Sequence, residues 1–151
     1  MTQATVKAKL EISSTIKKTS DDQEVSINTV LSNTGSSPLW VNKRLLFNTV
    51  YAPKPFREIW FDVKAPNGKI LEFECKIKAG AAREEHYTLL PPGEVIKAEI
   101  KISKCFDMQE KGTYQIKAHY QDGNKEVPPA PEDAAHLKEE LESETIKIAI
   151  E

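Results

Sequence analysis

The chain has 151 residues, 39% hydrophobic and 29% charged, and its 21 basic residues nearly balance 23 acidic ones. That length supports one domain spanning residues 1–151 with a core of its own, and the composition excludes a disordered chain. No Lys/Arg cluster stands apart from acids, which argues against nucleic acid as a partner, and no apolar run approaches the roughly 20 residues that cross a bilayer.

The dominant period is two, the mark of strands with one face in the core. Ala4, Val6, Ala8, Leu10 and Ile12 alternate with polar residues and predict a first strand; Val25, Ile27, Thr29 and Leu31 predict a second. Ser32 to Pro38 is turn-rich, and a short strand at Leu39 to Val41 follows. Ile59, Phe61 and Val63 alternate next. Asn67-Gly68 then predicts a type I′ hairpin, with a return strand carrying Leu71, Phe73, Cys75 and Ile77 on one face. Past Pro91-Pro92-Gly93 the alternation resumes at Ile96, Ala98, Ile100 and Ile102, again at Tyr114, Ile116, Ala118 and Tyr120, and finally at Ile146, Ile148 and Ile150. Between the last two strands, Ala134, Leu137 and Leu141 have helical spacing, so a short amphipathic helix is predicted over Pro131 to Leu141. The fold class read from this pattern is all-β: an immunoglobulin-like antiparallel β-sandwich of about seven to eight strands with one short helix before the last.

Met1 to Leu10 lacks the apolar core of a signal peptide, which slightly favours the cytoplasm; export would require a leader removed beforehand. Cys75 and Cys105 form neither a CxxC pair nor a zinc pattern, and free, buried thiols are favoured over a disulfide, because a sandwich of this length does not need the crosslink.

Tests for chemistry are negative. No His-Glu-x-x-His pattern exists. His86 and His136 lie among acids and read as solvated, and His119 is expected to face outward from its strand. Cys75 sits mid-strand among apolar neighbours, Cys105 at a strand end before Phe106-Asp107 is read as structural, and the glycines are dispersed singly, which argues against thiol catalysis and a phosphate loop. Paired carboxylates such as Asp21-Asp22, Glu84-Glu85 and Glu139-Glu140 read as solvated faces. No catalytic residue, metal or cofactor is expected, and the chain is read as a non-enzyme.

Leu89-Leu90-Pro91-Pro92-Gly93-Glu94, then Cys105-Phe106-Asp107-Met108 and Gly112-Thr113-Tyr114, resemble the immunoglobulin-like N-terminal region of deuterolysin-type metallopeptidases. Val30 to Gly35 with Pro38 to Val41, and Ser143 before Ile146-Lys147-Ile148, extend the similarity over roughly residues 5 to 150. Phe106-Asp107-Met108 replaces that family's Tyr-Asp-Leu. The resemblance implies a fold, and it does not carry proteolysis, because the zinc-bearing peptidase domain has no counterpart here. More loosely, the pattern is similar to small bacterial sandwich proteinase inhibitors. Gly112 and Tyr114 also have a local meaning: a Tyr two residues after a Gly at the start of a late strand forms a tyrosine corner, a structural role in which Asp107 is grouped with them.

The function expected from the sequence is a non-catalytic protein-binding module, a proteinase inhibitor or recognition domain whose partner is a protein such as a protease. Its surface is sought in the long connection Asn42 to Arg57, through Phe47, Tyr51 and Phe56, although capping of the core by these rings is the favoured role for them. The alternative is a carbohydrate-binding domain stacking sugars on Trp40, Trp60 and Tyr51, with Trp60 expected rather to pack under a loop. The oligomeric state is not readable.

Overall fold

The computed structural model describes residues 5–19, 22–53, 56–78, 80, 82–124, 127–131 and 133–151. Among them are ten strands and no α-helix: β1 Ala8–Lys18, β2 Gln23–Asn33, β3 Leu39–Asn42, β4 Ile59–Lys64, β5 Tyr87–Leu90, β6 Val95–Lys101, β7 Gly112–Tyr120, β8 Ala135–His136, β9 Leu141–Glu142 and β10 Ile146–Ile150. One sheet has the order β1-β2-β6 and a second β10-β7-β4, with β9 also on β7; a small third sheet is β5-β3-β8. No helix is long and apolar enough to cross a membrane.

The period of two places the core. Val25, Ile27 and Leu31 of β2 and Tyr114, Ile116, Ala118 and Tyr120 of β7 all point inward, and with Leu10, Ile59, Val63, Ile148 and Ile150 they form one hydrophobic cluster between sheets. Each Val, Leu or Ile side chain among them, fully buried, is worth about 1.5–3 kcal/mol. The turn after β2 is fixed by Asn33, whose amide donates to the carbonyls of Ser37 and Leu90 while its Oδ1 accepts from Gly35 N. The N-terminal segment runs over this turn, its Thr5 and Lys7 carbonyls taking the amides of residues 34–37. A Cβ on Gly35 would lie 2.3 Å from Thr5 O, so only glycine fits this crossing.

Several expectations are corrected. The expected helix over Pro131 to Leu141 is absent among the described residues: Ala134 N closes a single turn on Pro131 O, Asp133 has φ 68°, and the amides of Ala135 and Leu137 bond to the Pro38 and Trp40 carbonyls. Pairing with β3 outcompetes a helix too short to be stable without packing. That β3–β8 pairing is parallel, so the fold is not antiparallel throughout. The turn at Asn67-Gly68 is not type I′. Gly68 N bonds to Ala65 O with Pro66 and Asn67 central, and only Gly68 has positive φ. Pro66 presets the first central position of an ordinary turn, which settles its type. The return segment Leu71 to Ile77 forms no strand; after a single Lys64–Ile70 bridge it leaves β4, and Glu74 N bonds to Cys105 O. That approach brings the cysteines together: Cys75 and Cys105 are joined in a disulfide with Cα atoms 4.9 Å apart, and are not free thiols. β5 had no sequence expectation, and Val6 stands outside β1. Ala4, expected in the first strand, lies outside the described residues, as do Lys54 and Pro55 of the long loop.

Candidate functional site

The connection between β3 and β4 is a braced loop. Asn48, itself buried, donates from Nδ2 to Phe56 O at 2.9 Å and accepts Thr49 N on Oδ1 at 2.8 Å. Ala52 N closes a turn onto Thr49 O, Phe56 N bonds to Pro53 O, and the Arg57 guanidinium donates to the carbonyls of Val50 and Ala52. Arg57 also lies 4.4 Å above the Trp60 ring, a cation–π contact that ties the loop to the sheet. At the tip of this frame Tyr51 is 91% exposed, flanked by Val50 at 45% and Phe56 at 38%. Beside it, Thr49, Ala52 and Phe56 form one wall of an open groove whose other wall is Cys75 to Lys78.

Beneath the loop lies a buried polar network. Glu58, with no exposed surface, accepts from Arg44 Nε at 3.0 and 3.1 Å, Arg44 Nη2 at 2.5 Å, Asn42 Nδ2 at 2.8 Å and Leu46 N at 2.9 Å. Because Glu58 grips residues on both sides of Leu45, it holds that buried leucine at φ 50°, a left-handed conformation costing about 1–2 kcal/mol for a side chain of this kind. Asn124 bridges Glu58 to Asp122, which also accepts from Tyr87 Oη at 2.7 Å and sits 2.9 Å from His136 Nε2. Burial pushes the Asp122 carboxyl up, but the hydrogen bonds from Asn124, His136 and Tyr87 outweigh it and hold the group below its usual value. The Tyr87 phenol is pushed up by burial first and then by Asp122. These carboxylates anchor loops; their lone pairs are spent on internal donors, which leaves them poorly suited to bind an outside ligand.

The residues proposed from sequence separate. Phe47 caps the core, edge-on to Phe61 and Phe73. Tyr51 projects into solvent and Phe56 lies partly exposed at the groove, so Phe47 parts from the other two loop aromatics. Trp40 is half-buried, stacked on Tyr87 at 6.0 Å with its indole N–H on Pro128 O. Trp60 is 4% exposed, between Arg57 and His119, which fits packing under a loop. Tyr114 makes the expected corner, its hydroxyl donating to Glu110 O at 2.6 Å. Gly112 at the start of that strand has φ 133°, and a Cβ there would meet Pro66 at 2.7 Å. Asp107 is exposed and accepts Gln109 N at 3.3 Å.

The histidines need correction: neither His136 nor His119 is solvated. His136 faces buried Asp122, and His119 keeps its outward parity but is covered by its stacked neighbour Trp60 and bonded to Asp62. Sequence reasoning missed Glu58, Asp122 and Asn124 altogether. The turn-forming Gln121-Asp122-Gly123-Asn124 run was the one available signal, and it says nothing about burial. Compared with protein-family models and with curated proteins, the chain matches none.

Proposed function

We propose that the chain is a non-catalytic protein-binding module, of proteinase-inhibitor or recognition type, built on an immunoglobulin-like β-sandwich and binding through the loop between β3 and β4. The observation that carries this reading is Tyr51: a large ring 91% exposed at the tip of a loop whose carbonyls are already tied down by Arg57 and Asn48. A pre-braced loop has little conformational entropy left to lose on association, and a Tyr with two side-chain torsions adds contact area cheaply. The groove beside it, walled by Phe56 and Ile77, suits an apolar side chain of the partner. A disulfide between Cys75 and Cys105 fits an oxidising compartment, where such bonds persist and secreted proteases act. Carbohydrate stacking is left with Tyr51 alone, since Trp40 and Trp60 are engaged internally.

The test is a photo-crosslinking residue placed at Tyr51 and, as a control at another site, at Gln109, followed by calorimetry with any partner captured only at position 51. Tyr51→Ala should weaken binding by about 2 kcal/mol or more, as hot-spot aromatics do, with an unchanged melting temperature. Equal capture at both positions, or full affinity in Tyr51→Ala and Phe56→Ala alike, would remove this loop from the function.

A further inference from the structure

On the outer face of the β10-β7-β4 sheet, one buried imidazole nitrogen has no partner among the described residues. His119 is 9% exposed, and its Nδ1 makes no hydrogen bond among the described residues. Its other nitrogen, Nε2, lies 2.7 Å from Asp62 Oδ2, so the proton belongs there and Nδ1 presents a lone pair. Opposite that lone pair stand two carboxylates. Glu142 Oε1 is 3.5 Å away and Glu140 Oε2 is 3.8 Å away.

We propose that His119, Glu140 and Glu142 bind one divalent transition-metal cation of the zinc type. Ligands at about 2.0–2.2 Å from a tetrahedral zinc ion lie roughly 3.3–3.6 Å from one another. The three ligand atoms here all fall within 4.8 Å of each other, so small torsions of two exposed Glu side chains close the set. The register of the sheet fixes the arrangement, because His119 and Glu142 are direct cross-strand partners on β7 and β9. Trp60 stacks on the imidazole at 5.5 Å and 6° between planes, which holds the ring orientation. Asp62 supplies the carboxylate that in metal sites orients a ligating histidine and raises its basicity. One nitrogen with two carboxylates suits zinc or its neighbours, whereas magnesium and calcium prefer oxygen alone, and the fourth position is left to water. Lys117 holds the other oxygen of Glu142 at 2.9 Å. Its charge, with that of Arg57 nearby, opposes the cation and keeps the affinity below that of a closed structural site.

Calorimetric titration of the full chain with zinc chloride, paired with the visible absorption of the cobalt form, tests this. The expected result is one equivalent bound and a raised melting temperature, with binding at least about tenfold weaker in Glu140→Gln/Glu142→Gln and about 10–100-fold weaker in Asp62→Asn. Circular dichroism of the metal-free variants shows whether they fold, and the exposed Asp62 gives a second reading should the double variant fail. Absence of saturable binding would overturn the site. Undiminished binding in folded variants would equally overturn it, placing the ion at another histidine.

Discussion

Glu58→Ala tests the claim that a buried carboxylate organises the loop end of the fold. The change deletes the acceptor of Arg44 Nε and Nη2, leaving that side chain, 15% exposed, only its Nη1 bond to Gly80 O, and it deletes the acceptor of the buried amide of Asn42 and of the Leu46 N–H. Each neutral donor left unpaired costs about 1–3 kcal/mol, and a buried ion pair broken on one side costs about 3–5 kcal/mol. These terms overlap because water entering the vacated space serves several donors at once. The expected loss is therefore about 3–5 kcal/mol in all. At roughly 2–4 °C per kcal/mol for a chain of this size, the melting temperature should fall by about 6–20 °C. Urea unfolding of Glu58→Ala, Arg44→Ala and the double variant measures both the loss and the coupling, which should lie at about 0.5–3 kcal/mol in favour of the pair. The double variant should be less destabilised than the sum of the singles, since Arg44 no longer seeks a partner. A single-variant loss under about 1 kcal/mol, the value of an ordinary hydrogen bond, would refute the organising role of Glu58.

The disulfide closes a loop with sequence separation 30, which in the chain-entropy account contributes about 3–4 kcal/mol; Cys75→Ser/Cys105→Ser should lose that amount in urea unfolding, and native protein should resist alkylation until it is reduced. Tyr114→Phe removes the hydroxyl bond to Glu110 O and should cost about 1 kcal/mol, so a neutral effect on unfolding would dismiss the corner as a stabilising device. Burial raises the phenols of Tyr87, Tyr114 and Tyr120 above the ordinary value of 10.0. Their contribution is complete below that value and is lost as pH climbs toward the folded values, so stability should fall in alkali, with most tyrosinate absorbance appearing together with unfolding. Smooth ionisation of all four tyrosines in a protein that stays folded would contradict it. Asp122 has the opposite sign: its lowered value confers stability above the usual carboxylate range that is lost as pH falls, and Asp122→Asn should flatten the acid limb of the stability curve.

Strand positions were legible because burial on one face leaves a period of two, and β2, β4, β6, β7 and β10 fall where Val25 to Leu31, Ile59 to Val63, Ile96 to Ile100, Tyr114 to Tyr120 and Ile146 to Ile150 alternate. The corner at Tyr114 was legible for a similar reason, since donor, acceptor and glycine lie within a few residues of each other. The segment at Pro131 to Leu141 was not. Its spacing suits a helix, but its amides meet the carbonyls of β3 only after distant strands are in place. The same holds for polar side chains: Glu58 and Asp122 look like surface acids in the sequence, and only the convergence of Arg44, Asn42, Asn124 and Tyr87 makes their burial affordable. Tyr51, Phe47 and Phe56 are chemically alike and close in sequence. Their separation into a projecting ring, a core cap and a groove wall was decided by hydrogen bonds from Asn48 and Arg57, because local composition sets how apolar a loop is and long-range contacts set which way each ring points.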